Sequence, residues 1–462
     1  MFALTATEIA RITGGRLLCG SEEACVTRVV IDSREAGPGT LFAAFSGEQV
    51  NGHDFIEAAF EAGAPLALVS EASCCAKGTL ILVPDMQTAL WDLARDNRAR
   101  LTCPVIAITG STGKTSTKEL LAAVLSRKLK TVATRANFNN DLGVPLTLLQ
   151  AGPDTQALIV ELGMRGAGEI ARLAALVRPQ IGIITNIGLA HLERLGTPEA
   201  IAAAKAELLA ALPEDGLALY PDDTGYTELL RAATTARRTG TFGRDPEADY
   251  RATGIMIDDE GRVSATVRSP QNTLRISLST PGLHMLSNAL PVIAVAEELQ
   301  FDDQTIAAGL GQAPAATLRG ERLELPERGV SILDDAYNAN PTSMAAALRL
   351  LATLRPNLAT GRRIAVLGDM LELGEASEQA HRDVLDLAAE LGLEYLFVFG
   401  SQFAAVAPPE LVYDDMVELT RAVCSFVGPG DIVSVKGSRG MRMERVIEAL
   451  QNVDQKGSVP SC

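Results

Sequence analysis

Residues 105–129 constrain this chain more than any other segment. An unbroken apolar run, Val105-Ile106-Ala107-Ile108, leads into Thr109-Gly110-Ser111-Thr112-Gly113-Lys114-Thr115, and a helix is expected from about 115 to 129. A buried strand, a glycine turn and a helix in that order begin a doubly wound parallel sheet. The segment is also chemically specific. Glycines let a backbone wrap a phosphate, a helix N-terminus offers unpaired N–H groups, Lys114 brings positive charge, and the Thr115 hydroxyl can ligate Mg²⁺. The ordinary P-loop has four residues between its glycines, whereas Gly110 and Gly113 have two. The strand-loop-helix context therefore carries the reading, not the spacing.

The same rhythm recurs on both sides. Short apolar runs at 29–31, 66–69 and 80–83, with a helical stretch at 55–62 ended by Gly63, read as a small N-terminal α/β unit. Buried strands at 157–160 and 181–185 alternate with Ala/Leu-rich helices, as in a parallel sheet. Residues 250–279 switch to strict alternation around the turn Asp258-Asp259-Glu260-Gly261, which reads as an inserted β-hairpin region. Residues 310–318 look like a linker, a third βα series starts at 330, and 455–462 read as a loose tail. The fold class expected is α/β in three domains, 1–102, 103–315 and 316–462.

A net charge of −16 excludes broad contact with nucleic acid or anionic membrane, since either needs a basic face. Seven cysteines, odd in number and without CxxC pairing, indicate neither a disulfide framework nor a zinc site. No stretch of about 18 uncharged apolar residues occurs and no basic-then-apolar leader opens the chain. A soluble, cytoplasmic protein without membrane insertion, acting as a monomer, is expected.

A magnesium nucleotide needs oxygen ligands besides Thr115. Glu161 ends the strand Leu158-Ile159-Val160, at the edge where open α/β sheets bind ligands. Read alone, it is equally an ordinary strand-end acid. His191, following the next strand, completes the set or is a structural histidine.

Several motifs then follow in order: GSTGKTS at 110–116, TRANFNNDLG at 134–143, AHLE at 190–193, GLHMLSNA at 282–289, DDAYNANPTSM at 334–344, LGDMLELG at 367–374 and KGSRG at 436–440. In order and spacing they resemble the Mur ligase family, over nearly the whole chain. DDAYNANPTSM resembles the member that adds D-alanyl-D-alanine. Asn51-Gly52-His53 stands where members often have Asp-Gly-His, a change that keeps a turn-former.

The resemblance implies an N-terminal domain for the UDP end of the substrate, a central ATPase domain and a Rossmann-like C-terminal domain. It implies ATP and Mg²⁺ as cofactors, with Gly110, Ser111, Thr112, Gly113, Lys114, Thr115 and Ser116 at the phosphates and Thr115, Glu161 and His191 at the metal. Lys205 matches the position of a carbamylated lysine; the plain alternative is a surface lysine on an amphipathic helix. Asn288, one turn from His284, is implied at the adenine, and Arg322, Asp335 and Tyr337 approach from the C-terminal domain. Asn338, Asn340, Lys436, Ser438 and Arg439 are implied around the dipeptide or phosphates. Ser33 and Arg34 are implied at the uridine diphosphate, and Asn139 and Asn140 at the sugar or its peptide. All four histidines, at 53, 191, 284 and 381, fall in family-like segments.

The partners implied are UDP-N-acetylmuramoyl-tripeptide and D-alanyl-D-alanine, joined through an acyl phosphate with Lys114, Glu161, His191 and Lys205 as the catalytic set. Two other readings stay open: a sister ligase adding a single diamino acid, and a P-loop nucleotide switch. Against the first stands the absence of a DNPR stretch; against the second, the absence of NKxD. An oxidoreductase fails because no strand is followed by GxGxxG.

Overall fold

In the computed structural model, the described residues are 1–47, 50–71, 77–314, 320–356 and 358–452. They build three large sheets, each with helices packed on it, and a two-stranded one that pairs Leu4–Thr5 with Cys25–Val26. The first has the order Arg16–Cys19, Thr79–Leu82, Leu66–Val69, Thr40–Ala43, Arg28–Val30, parallel except at the Arg16–Cys19 edge. Its inner strands are fully buried, which is why they read as apolar runs without alternation. Helix α1 (Met86–Arg100), capped by the Asp85 carboxylate on Thr88 N–H, closes this part. Buried α1 residues share one continuous core with Val105, Leu158 and Leu208, so the first two parts of the chain are packed together.

The second sheet has nine strands. Third from one edge lies β1 (Val105–Thr109), followed by α2 (Lys114–Leu125). Strands β2 (Ala157–Glu161) and β3 (Ile181–Ile184) flank β1 in parallel, with Glu161 level with Ile108 and Ile184 level with Thr109. Helix α3 (Pro198–Ala210) follows, capped by Thr197 and started by Pro198. Then come β4 (Leu217–Pro221) and Arg238–Gly243.

The alternating segment differs from the expected insertion. Tyr250–Ile257 continues the same sheet in parallel, and Arg262–Arg268 and Thr273–Pro281 extend it as its antiparallel edge. Their inward residues Val263, Ala265, Val267, Leu274, Ile276 and Leu278 share a core with α4 (Leu283–Glu298). The apolar face is thus satisfied by the parent domain. Of the expected linker, 310–314 include the end of the helix Asp303–Gly311; 315–318, like the tail 455–462, lie outside the described residues.

The third sheet has the order Glu321–Leu325, β5 (Val330–Asp335), β6 (Ile432–Lys436), Arg363–Gly368, Tyr395–Phe399, Val412–Tyr413, parallel except at its first strand. Between β5 and Arg363–Gly368 lies α5 (Pro341–Thr353). The sheet carries a core on each face. Strands β5 and β6 end side by side, Asp335 level with Lys436, and this edge faces the phosphate loop across a cleft. Among the described residues, no helix is long and apolar enough to cross a membrane.

Candidate active site

The cleft, about 840 Å³, is lined from all three parts of the chain. Its floor is the turn between β1 and α2. Gly110 has φ 151°, and a Cβ there would sit 1.9 Å from Thr185 Oγ1. Gly113 has φ 79°, and its Cβ would meet Asn288 Oδ1 at 2.2 Å. Both positions exclude a side chain, so the backbone stays bare where an anion would lie. The turn is braced from behind. Asn186 Oδ1 accepts from Thr112 N–H at 2.7 Å, and Ser111 Oγ donates to Gly188 O at 2.9 Å. Lys114 Nζ donates to Gly110 O at 2.7 Å. Thr185 and Asn186, which the sequence reading did not single out as site residues, carry a faint signal: they directly follow β3 at the ligand edge of the sheet.

Thr115 lies beneath the loop, and its hydroxyl donates to Glu161 Oε2 at 2.9 Å. The other Glu161 oxygen accepts from Asn139 Nδ2 at 2.7 Å, and Glu161 is wholly buried. A hydroxyl beside a buried carboxylate fits Mg²⁺, which takes one or two carboxylates and leaves its other positions to phosphates and water. Among the described residues no group of three or more His, Cys, Asp or Glu side chains stands ready for a metal without such a partner. His191 lines the same cleft at φ 65°, but its Nδ1 is engaged by Glu372 Oε2 at 2.7 Å across the cleft. Burial holds its imidazole below the ordinary range; Glu372 opposes that, and Lys205 and Lys114 reinforce it. Glu372 lies in a segment whose motif was visible and whose partner was not.

Lys205 on α3 is 1% exposed and lines the cleft. It is not the surface lysine of the plain reading. Burial, then the nearby Lys114 charge, pushes its ammonium well below the ordinary lysine range.

From α4 come His284 and Asn288, one turn apart. Asn288 is buried against Gly113, with Met285 Sδ at 3.8 Å from its Nδ2. His284 is exposed along the cleft; the protein gathered around it lowers its pKa, which Asp335 opposes and Lys436 reinforces. From the third sheet, Lys436 Nζ donates to Asp335 Oδ2 at 2.7 Å and to Asn338 O at 2.8 Å. The DDAYNANP segment owes its shape to local rules: after β5, Asn340 caps α5 on Ser343 N–H and Pro341 opens the helix. Tyr337, Asn338 and Asn340 all line the cleft. So do Ser116, on the first turn of α2, and Asn140, which caps Gly143 N–H at 2.9 Å.

Besides Thr115, which lies beneath the loop, five of the sequence-derived residues are not brought to the cleft wall. The Arg322 guanidinium turns to Glu324 and Ser331. Ser438 is buried, accepting from Leu371 N–H and donating to Ala339 O; it shapes the β6 edge from behind. Arg439 pairs with Glu444. In the N-terminal part, Ser33 opens a short 3-10 turn and Arg34 is held by Asp32, whose carboxyl that contact lowers to about 2. Of the histidines, two are structural. His53 Nε2 accepts from Ser70 N–H, and His381, wholly buried, accepts from Met370 N–H and donates to Ser377 O.

Three sequence profiles match this chain: "Mur ligase family, catalytic domain" over 26–98, "Mur ligase middle domain" over 108–296 and "Mur ligase, glutamate ligase domain" over 319–439. The chain belongs to the Mur ligase family. Among Mur ligases it is 35% identical to the UDP-N-acetylmuramoyl-tripeptide--D-alanyl-D-alanine ligase of Bacillus subtilis, covering 97% of this chain and 99% of that one. The crystal structure of MurF from Acinetobacter baumannii superposes with a TM-score of 0.85 at 31% identity, covering 97% of this chain and 99% of that one. MurF ligase from Thermotoga maritima, solved in complex with ADP, superposes with a TM-score of 0.77 at 28% identity, covering 92% and 97%. For a Mur ligase this cleft is the expected site: the middle and C-terminal parts form its walls, Gln87 reaches it from the N-terminal part, and the phosphate loop is its floor.

Proposed function

We propose that this chain is a cytoplasmic, monomeric ATP-dependent ligase that joins D-alanyl-D-alanine to UDP-N-acetylmuramoyl-tripeptide, giving the pentapeptide precursor of peptidoglycan. The observation that carries the reading is end-to-end similarity to ligases of that name, together with a cleft that gathers the phosphate loop, TRANFNND and DDAYNANP. The domain limits 1–102, 103–315 and 316–462 belong to the same reading.

The chemistry follows from charge. A carboxylate is a poor electrophile, so the tripeptide's terminal carboxylate takes the γ-phosphoryl group of ATP and becomes an acyl phosphate. Lys114 and the backbone N–H groups at the start of α2 stabilise charge on the phosphoryl in flight, and position it for transfer. Thr115 and Glu161, with His191 near, would hold Mg²⁺, which when bound would supply further charge neutralisation on the phosphate oxygens. Asn139 and Asn140 hold the sugar-peptide, Asn288 the adenine edge, and Asp335, Tyr337, Asn338, Asn340 and Lys436 the nucleotide and dipeptide from the opposite wall. Ser33 and Arg34 hold the uridine diphosphate. Arg322, Ser438 and Arg439 serve at one remove. The dipeptide amine, with an ordinary pKa near ~8, attacks in its neutral form and expels phosphate. Contacts across the cleft such as His191–Glu372 keep out the water that would hydrolyse the acyl phosphate.

Lys205 is read as carbamylated. A buried amine held neutral adds CO₂ and loses one proton, giving a carbamate anion; that anion replaces a like-charge encounter with Lys114 by an attractive one and offers oxygen to Mg²⁺.

The test is ADP release with MgATP, UDP-muramoyl tripeptide and D-alanyl-D-alanine, leaving out each in turn. Release that requires all three confirms the reading. Release with a single diamino acid and the UDP-muramoyl dipeptide assigns the sister activity, and GTP hydrolysis with neither substrate assigns a switch.

A further inference from the structure

One buried cation near the cleft plays no part in the mechanism above. Lys118 sits on α2 one turn beyond Lys114 and is 1% exposed. Its ammonium donates to Thr134 O at 2.8 Å and to Ala136 O at 3.1 Å, and meets Glu119 Oε1 at 2.8 Å. An ammonium has three protons and no acceptor capacity; here all three have acceptors, so none is left for a ligand. Burying the charge is costly, and a helix needing only packing would carry an aliphatic residue at this position.

What the charge holds is the start of the segment 134–142. Ala136 has φ 48°, a left-handed conformation that non-glycine residues adopt only when their surroundings impose it. Its carbonyl accepts one of the Lys118 N–H bonds. Beyond this turn, Asn137, Asn139, Asn140, Asp141 and Leu142 line the cleft. The middle of the segment is tied to Glu161 through Asn139, and its far end to α1, where Gln87 Nε2 and Trp91 Nε1 donate to Asp141 O at 2.6 and 2.8 Å.

We propose that Lys118 is a positioning residue for the muramoyl substrate: its buried ammonium fixes the left-handed turn at Ala136 and so aims the 137–142 segment into the cleft. The inference deepens the proposed function and rests on the reading of Asn139 and Asn140 as sugar-peptide contacts.

The test compares two ligands by calorimetry and the segment itself by hydrogen exchange, in full-length protein. Lys118→Met is expected to weaken binding of UDP-muramoyl tripeptide by about tenfold or more and MgATP by less than about twofold, with faster exchange at the 135–142 amides. Ala136→Val is the second variant. Position 136 is exposed, so the change does not threaten the core, and a β-branched residue cannot hold the left-handed turn. It is expected to give the same selective loss, and it decides the matter if Lys118→Met does not fold. Equal losses for both ligands, or unchanged binding and exchange, overturn the proposal. Wild-type protein that binds no UDP-muramoyl tripeptide overturns the substrate reading instead; exchange at 135–142 then decides separately whether Lys118 holds the turn.

Discussion

Two helices flank the phosphate loop, and each buries a lysine that is 1% exposed: Lys118 on α2 and Lys205 on α3. Around Lys118 the chain supplies two carbonyls and a carboxylate. Around Lys205 no acceptor engages the amine among the described residues, and the charge that acts on it is another cation, Lys114. Residue type and burial are the same on both flanks, yet the chemistry is opposite. A buried ammonium with acceptors already in place is a structural pin, whereas a buried amine without them sheds its proton and becomes a nucleophile. Partners, not depth, separate the two.

The strongest way to break that contrast is Lys114→Ala, which removes both the cation at the phosphates and the like charge facing Lys205. Turnover is expected to fall by about 10³-fold, measured as ADP release; near-normal ATP consumption would end the phosphate-site assignment. Next in size is the Lys205 flank itself. With ¹³C-labelled CO₂, a carbamate resonance is expected in the wild type and in Lys118→Met, and is expected to vanish in Lys205→Ala along with about 10²-fold of the turnover. A carbamate that survives Lys205→Ala would place the modification elsewhere.

His381 extends the contrast to a group far from the loop. It is wholly buried but fully partnered, so it should behave as Lys118 does and not as Lys205 does. His381→Ala should cost about 2–3 kcal/mol of stability by leaving Met370 N–H unpaired, read by denaturant unfolding, with KM for every substrate unchanged.

The smallest effect is a pH signature at Asp334, a buried strand-end carboxyl that burial pushes up to about 6. Its folded pKa exceeds its ordinary value of 3.8, so the folded form favours the proton. The stability it lends is complete below the ordinary value and is lost as pH rises through about 6. Asp334→Asn should therefore stabilise the protein by about 1 kcal/mol at alkaline pH and not at all near the ordinary carboxyl value. A gain equal at both pH values would mean packing, not charge.

Sequence reading reached the elements whose cause is local. The strand, glycine turn and helix around Gly110 and Gly113 are written in neighbouring residues, and the structure forms them there; the cap at Asn340 with Pro341 has an equally local cause but was not singled out. Residues 250–279 were legible as strands, but alternation says that one face is buried without saying against what; here it is α4 of the same domain. Motif resemblance located Arg322, Ser438 and Arg439 without giving their direction, and each turns to a partner on its own side of the cleft. Lys118 and Glu372 were not singled out for a converse reason. The acceptors of Lys118 include backbone carbonyls, which leave no mark in a sequence, and the partner of Glu372 lies 181 residues away.

The contact between α1 and Asp141 has a practical consequence. Trp91 is the single tryptophan of the chain, its indole N–H rests on the Asp141 carbonyl, and the Arg172 guanidinium, itself paired with Asp141, lies 5.6 Å from the ring centroid. The sole indole is therefore in direct touch with the cleft segment. Its ultraviolet emission is a label-free optical gauge of that segment, present without any engineered dye and undiluted by other tryptophans.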